Sequence, residues 1–259
     1  MTRNQLDRDA SNMLEKALRI LQAFRPEDDH LRLVSLVERT GMAKSTVHRL
    51  VTELLDHGLL EHDDRRGYRP GIVLFELSSL VPLSRHLREE ALPFLQDLFV
   101  ATHQTVHLAV REGNDSVYVE KIHGHSDLGL PSRVGGRLPL VCTGVGRALL
   151  AFSEPEVQRR ALARPTRRII DGTVLDAGRL ALDLAEVRCT GLSYERGEIA
   201  TGQGCIASPV IVDRAPVAAI SLSVPIHHYN LPALAGSVKK AATNLAGKLA
   251  QAPALGRAV

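Results

Sequence analysis

Lys44, Ser45, Thr46, His48, Arg49 and Thr52 crowd into one short stretch, all of them cations or short hydrogen-bonding side chains, and the first carboxylate after them is Glu53. A surface that faces water mixes both signs of charge, whereas one that faces phosphates and base edges needs donors without carboxylates. The apolar residues between them, Val47, Leu50, Val51, Leu54 and Leu55, fall at i, i+3, i+4, i+7 and i+8. That spacing makes one stripe of an amphipathic helix, so the donors occupy the opposite face. By position, Ser45, Thr46, His48 and Arg49 are predicted to enter a DNA major groove, with Lys44 on phosphate.

A second group lies far downstream. Thr143-Gly144-Val145-Gly146 opens a predicted helix, where glycines leave backbone N–H groups bare at the positive end of the helix dipole. Ser221 and Ser223 are two apart on a predicted strand and so share a face, while Ile220, Leu222 and Val224 share the other. Cys205, on the strand paired with theirs, is placed to border the same hollow. A helix start of this kind is a ready site for a carboxylate, and hydroxyls on an inward face need a partner. A close-packed turn whose glycines only avoid a clash is the competing reading.

Catalysis has little to stand on. Cys205 with one of eleven histidines would make a nucleophile and base, but nothing fixes their geometry, and GxSxG, HExxH and phosphate-loop patterns are absent. A lone cysteine in a strand is ordinarily core filler. No catalytic residue and no cofactor are predicted. The loop Ile122-His123-Gly124-His125, alone or with Cys142, leaves a metal open, since it can place two imidazoles together.

The elements that must position these residues follow from the flanking sequence. Leu33, Leu36 and Val37 mark a short helix upstream, ended at Thr40-Gly41 by a glycine suited to a left-handed cap. Helix, glycine turn and donor-rich helix make a helix-turn-helix. Gly58 to Gly71 reads as a hairpin with a basic tip, a wing whose Arg65 and Arg66 are predicted on phosphates. An earlier helix is predicted to open at Asn12, with Glu15 completing a capping box and Leu14, Ala17, Leu18 and Leu21 buried. Residues 72–81 are apolar nearly all round and suit a linker helix that packs on its mate from another subunit, since two-fold operators call for a two-fold protein. From Arg85 onward, helices alternate with two hairpins, 105–122 and 205–224, which indicates an antiparallel sheet with helical cover. Ser153-Glu154-Pro155-Glu156 reads as a further helix cap, and Glu89 to Thr102 as a helix burying Leu92, Leu95, Leu98 and Phe99. The predicted class is α+β, with boundaries at 1–70, 71–84 and 85–259.

A chain of 259 residues with 44% hydrophobic residues can fill two cores. Its net charge of +3 is not concentrated where DNA would bind, because residues 1 to 83 hold 12 Lys+Arg against 13 Asp+Glu, a net of −1. The DNA signal is local. Three cysteines without CxxC spacing argue against a disulfide framework and fit a reducing cytoplasm. No signal peptide and no eighteen-residue apolar run are present, so no membrane partner is predicted.

Arg39-Thr40-Gly41, Lys44-Ser45-Thr46-Val47-His48-Arg49-Leu50 and Gly58-Leu59-Leu60-Glu61 together resemble the winged helix of the IclR family of bacterial transcription regulators. Arg32 stands where that family commonly has a Ser or Thr cap. Ser132-Arg133-Val134-Gly135, Thr143 to Ala151, Gly202, Cys205, Ala207, Pro209 and Ala219 to Ser223 extend the resemblance over the second half. It implies a GAF-like effector-binding domain behind the winged helix. It also implies a ligand against Gly144, Val145, Cys205, Ser221 and Ser223, with Glu195 at the rim, and the ligand expected there is a small organic acid, aliphatic or aromatic, its carboxylate held by the Gly144 and Val145 amides and the serine hydroxyls. The resulting expectation is a cytoplasmic, ligand-responsive regulator acting as a homodimer or dimer of dimers on a pseudo-palindromic operator. A sensor whose helix-turn-helix binds protein is the alternative.

Overall fold

The computed structural model describes residues 3–81, 86–126, 129–163, 171, 175–226 and 231–251. They belong to two compact units, Met1–Pro82 and Leu83–Val259.

In the first unit, α1 (Arg3–Gln22), α2 (Leu33–Thr40) and α3 (Lys44–Asp56) are followed by a hairpin of β1 (Leu60–Asp63) and β2 (Gly67–Pro70) and by α4 (Ile72–Ser79). Ile20, Leu36, Val47, Leu50, Val51, Leu54 and Leu60 make its core. Burying side chains of this size contributes about 1.5–3 kcal/mol each. Gly41 ends α2 at φ 67°, its N–H on the Val37 carbonyl at 2.9 Å. No side chain caps the start of α2 at Arg32. Instead Arg39 holds the preceding turn, donating to Asp28 and, at 2.9 Å, to the Ala23 carbonyl. That hydrogen bond keeps the Asp28 carboxyl below the usual carboxylate range.

Two expectations are corrected here. α1 opens at Arg3, so Asn12 lies inside the helix and no capping box forms. Residues 3–11 contain neither Gly nor Pro to stop a helix growing backward. Leu14 and Leu18 are 65% and 47% exposed, while Ile20 is fully buried. With 3.6 residues per turn, Ala17, Ile20 and Leu21 share the inner stripe and Leu18 lies to one side of it, while Leu14 is in line with Leu21 but about two turns earlier along the helix. α4 stops at Ser79 with no residue buried, and 82–84 of the expected linker lie outside the described residues.

The second unit is built on six antiparallel strands in the order β5-β4-β3-β8-β7-β6. These are β3 (Thr105–Glu112), β4 (Asp115–Ile122), β5 (Arg137–Pro139), β6 (Ser193–Arg196), β7 (Gln203–Val212) and β8 (Ala215–Pro225). The β7–β8 connection is a tight turn in which Asp213 and Arg214 both have positive φ, 49° and 68°. Val106, Leu108, Ile206, Ile220 and Leu222 face α5 (Arg88–Thr102) and α9 (Leu231–Ala250). The opposite face meets a 3-10 turn (Leu140–Cys142), α6 (Gly144–Ala151), α7 (Pro155–Leu162) and α8 (Ala177–Thr190). Helices on both faces of an antiparallel sheet make the chain α+β.

Two local expectations shift. Ser153 closes α6, donating to the Leu149 carbonyl at 2.9 Å, and does not cap α7, whose N-cap Glu154 makes no side-chain bond. In α5 the buried positions are Ala91, Leu95 and Leu98, with Leu92 and Phe99 half-buried.

Candidate functional site

The donor face of α3 is solvent-facing: Lys44, Ser45, His48, Arg49 and Thr52 are exposed and Thr46 is half-buried. Val47, Leu50, Val51 and Leu54 hold it from behind. Arg49 curls back along its own helix, Nη1 at 2.9 Å from Glu53 Oε1 and 3.5 Å from Met13 Sδ. An exposed i,i+4 pair of this kind is worth about 0.3–0.5 kcal/mol, a small cost to release the guanidinium toward a base. At the wing tip, Asp63 Oδ1 accepts the Arg65 and Arg66 backbone amides, both at 2.9 Å. These bonds hold its carboxyl below the usual range and project both side chains outward. Arg66 pairs with Asp29, and Arg65 is exposed.

The second unit contains a hollow between the sheet and the start of α6. Gly144, Glu195, Cys205, Ser221 and Ser223 line it. Strand register brings them there: Glu195 pairs with Cys205, Cys205 with Ser223, and Ser221 with both Ala207 and His107. Val145 buries its side chain in the core under α6 and is not among the residues lining the hollow. One sequence expectation fails. Glu195 is not at a rim but is 3% exposed, because its strand position points it at the α6 side of the sheet.

The glycines at the start of α6 serve close packing as well as the hollow. A Cβ on Gly144 would stand 2.9 Å from Cys205 Sγ, and one on Gly146 would overlap the Leu140 carbonyl oxygen. Thr143 caps the helix, its Oγ1 accepting the Gly146 amide at 2.9 Å, so that N–H is already used. The Gly144 amide points at the Cys205 sulfur.

Sequence reasoning missed His107, Tyr118, Ser132, Thr143 and Gln203, which complete the polar lining. His107 Nε2 lies 2.8 Å from Ser132 Oγ and Nδ1 3.5 Å from Ser221 Oγ, with Tyr118 edge-on at 5.2 Å. His107 sits on a strand whose alternation was legible. Its pairing with β8, 114 residues away, was not.

Burial decides the protonation states. It lowers His107 to about 3, helped by Lys121 and His123, so the ring is neutral. Burial, then Glu195, raises Cys205 to about 12, and burial also raises Cys142 to about 11, so both remain thiols at neutral pH. Glu195 is raised to about 7, by burial first, against the pull of the Glu198 amide.

The hollow measures about 20 Å3, room for about one water. A larger guest requires its apolar walls, Leu130, Leu138, Ile199 and Ala200, to move outward. Gly197 and Gly202, at φ 66° and 71°, bracket the segment that holds two of them. Of the suggested metal ligands, His125 stacks on His103 at 4.7 Å with an interplanar angle of 14°. Among the described residues no three His, Cys, Asp or Glu side chains gather as a metal site. No helix among them is long and apolar enough to cross a membrane.

Comparison with known proteins bears on both units. The IclR helix-turn-helix domain profile matches residues 13–64, and the bacterial transcriptional regulator IclR C-terminal profile matches residues 81–247. The chain is 33% identical over 213 residues to the HTH-type transcriptional regulator XynR of Escherichia coli, covering 81% of this chain and 84% of that one. It is 30% identical over 240 residues to the HTH-type transcriptional regulator KipR of Bacillus subtilis, covering 90% and 95%. Its fold superposes on an IclR homolog from Microbacterium hydrocarbonoxydans, crystallised with 4-hydroxybenzoate, with a TM-score of 0.84 at 29% identity, covering 92% and 98%. A winged helix followed by an effector-binding domain, matched along both lengths, places this chain in the IclR family of transcriptional regulators.

Proposed function

We propose that this regulator binds a pseudo-palindromic operator as a homodimer or dimer of dimers and responds to a small organic acid bound in the hollow behind α6. The observation that carries the reading is convergence: the Gly144 amide, the Cys205 thiol and the Ser221 and Ser223 hydroxyls meet in one place. All are uncharged, and the amide and the two hydroxyls, which point at the Cys205 sulfur, are the donors a single carboxylate would take over. The similar Microbacterium protein carries an aromatic hydroxy acid, which supports an aliphatic or aromatic acid here. On the DNA side, Ser45, Thr46, His48 and Arg49 read bases, and Lys44, Arg65 and Arg66 hold phosphates. One winged helix covers too few base pairs to find a unique genomic place, so two copies are needed. The exposed apolar side chains of α4 and the residues after it, Phe75, Leu77, Leu80 and Val81, supply a surface for the second copy. The ligand acts by binding the operator-competent and incompetent arrangements with different affinity. The cytoplasm is where such a protein meets its operator.

The test has two parts. Full-length protein is run in gel shifts against genomic fragments, which also separates DNA binding from a protein-binding helix-turn-helix. Calorimetry then compares metabolite acids with their methyl esters. Esters binding as tightly as acids would remove the carboxylate site, and failure to shift any fragment would remove the operator.

A further inference from the structure

Among the described residues that line the hollow assigned to a carboxylate there is no Lys or Arg; Lys121 stands behind them, its Nζ donating to the Ser132 carbonyl at 2.7 Å. The polar lining consists of hydroxyls, a thiol, amides and the neutral ring of His107, and the acid among the lining residues is Glu195. Facing Glu195 are Cys205 from β7, Tyr118 from β4, Cys142 from the 3-10 turn, Arg147 from α6 and Glu198 from the following turn. Arg147 is the positive group among them, and it is already engaged: it pairs with Glu198 and donates from Nε to the Val141 carbonyl at 2.8 Å. The Glu195 carboxyl accepts the Glu198 backbone amide at Oε1 and is also held by the Ile199 backbone amide. A ligand carboxylate entering this space therefore meets a second carboxyl at close range, in a setting where two like charges cannot both persist.

We propose that the site takes its carboxylate ligand together with one proton, which settles on Glu195, so that Glu195 selects monocarboxylates as neutral acid equivalents and rejects dicarboxylates. This deepens the organic-acid reading above and rests on it. The balance is simple. Ionised Glu195, one proton from water and one ligand carboxylate form a complex carrying a single negative charge. The protonated Glu195 then turns from acceptor to donor and joins Ser221, Ser223 and Cys205 in hydrogen-bonding the ligand. A second carboxylate on the ligand would find no Lys or Arg among the described lining residues, and no further proton. The ligand-free carboxyl, already lifted to about 7 by burial, needs little further shift to hold the proton at neutral pH. The same group would be a poor choice for a site built to attract anions by charge, and its position beside Cys205 is fixed by strand register.

The experiment is calorimetry on the full chain, with acetate, benzoate and 4-hydroxybenzoate as monocarboxylates and succinate as dicarboxylate, at ~pH 6, ~7 and ~8.5. At each pH the titration is run in two buffers that both hold that pH but differ in ionisation enthalpy, which reports protons taken up. The expected result is proton uptake approaching one per ligand at the highest pH, with affinity falling roughly tenfold per pH unit above ~7. Succinate should bind more weakly throughout. Glu195→Gln should bind monocarboxylates with pH-independent affinity, without proton uptake, and at the highest pH more tightly than the wild type. Its thermal unfolding profile, compared with wild type, shows that it folds. Monocarboxylates binding wild type with pH-independent affinity and no proton uptake would overturn this inference and leave the organic-acid reading standing. Succinate binding as tightly as benzoate would also overturn it. Failure of every carboxylate to bind at any pH would bring down both.

Discussion

Arg147, on the first turn of α6, reaches Glu198 in the turn after β6, so the segment walling the hollow is tied to the helix beneath it. The guanidinium also donates to the Val141 and Tyr194 carbonyls, at 2.8 and 3.4 Å, and lies 3.8 Å from Asp183. Only 4% of the Arg147 side chain is exposed, so removing it takes a buried cation from Glu198 and a donor from the Val141 and Tyr194 carbonyls. Arg147→Met is expected to cost about 3–5 kcal/mol in urea unfolding. Arg147→Met with Glu198→Gln should cost less than the sum of the singles, and additive losses would show that the pair is not coupled.

Two buried groups should make stability depend on pH in opposite directions. His107 is held neutral down to about 3, so below about 6.5 the unfolded chain takes up a proton the native chain refuses. Stability then falls as pH drops, by up to about 1.4 kcal/mol per unit. Glu195 is protonated up to about 7 in the native chain but ionises at its ordinary, lower value when unfolded. It therefore removes stability as pH rises from about 4.5 to about 7. Across pH 4.5–6.5 the two slopes oppose each other. Glu195→Gln should unmask the His107 slope, and His107→Gln the Glu195 slope, in melts taken across that window.

On DNA, Arg49→Ala is expected to cost about 1–3 kcal/mol at the operator and to relax specificity at one base pair. Arg66→Ala should weaken operator and random DNA alike and reduce the salt slope by about one unit. Fluorescence anisotropy over a salt series reads both. Wild-type affinity in both variants would unseat α3 from the groove.

Association should depend on the apolar surface that α4 leaves open. Leu77 is 52% exposed and Phe75 70%. Leu77→Asp is expected to lower self-association in sedimentation and to lower operator affinity with it, without changing the melting of the effector-binding unit. A wild-type protein that sediments as a monomer at micromolar concentration would remove the two-fold reading.

Gly144→Ala should destabilise by about 1–3 kcal/mol, because the added methyl meets Cys205 Sγ at 2.9 Å. Adding Cys205→Ala removes that sulfur and should recover part of the loss. No recovery in a thermal melt would locate the strain elsewhere.

Local pattern made much of this architecture legible. The 3.6-residue spacing of Val47, Leu50, Val51 and Leu54 specified α3 and its donor face, and the alternation of Ser221 and Ser223 with Ile220 and Leu222 specified which side of β8 looks toward α6. What escaped depended on partners distant in sequence. The burial of Glu195 follows from β6 lying beside β7 with its odd positions turned toward α6, and His107 joins the hollow only because β3 pairs with β8. The start of α1 was misplaced for a different reason: a capping pattern at Asn12 is a preference worth about 1 kcal/mol, too little to stop a helix with no breaker ahead of it.

The pairing of β3 with β8 also sets when the sensor can come into being. His107 and Ser221 are 114 residues apart, so on the ribosome the hollow has no second wall until nearly the whole chain has been made. The helices of the first unit close locally and need not wait. A nascent chain can therefore complete its helix-turn-helix unit well before the hollow of the second unit exists, and premature termination in the last strand would leave that hollow without its Ser221 and Ser223 wall.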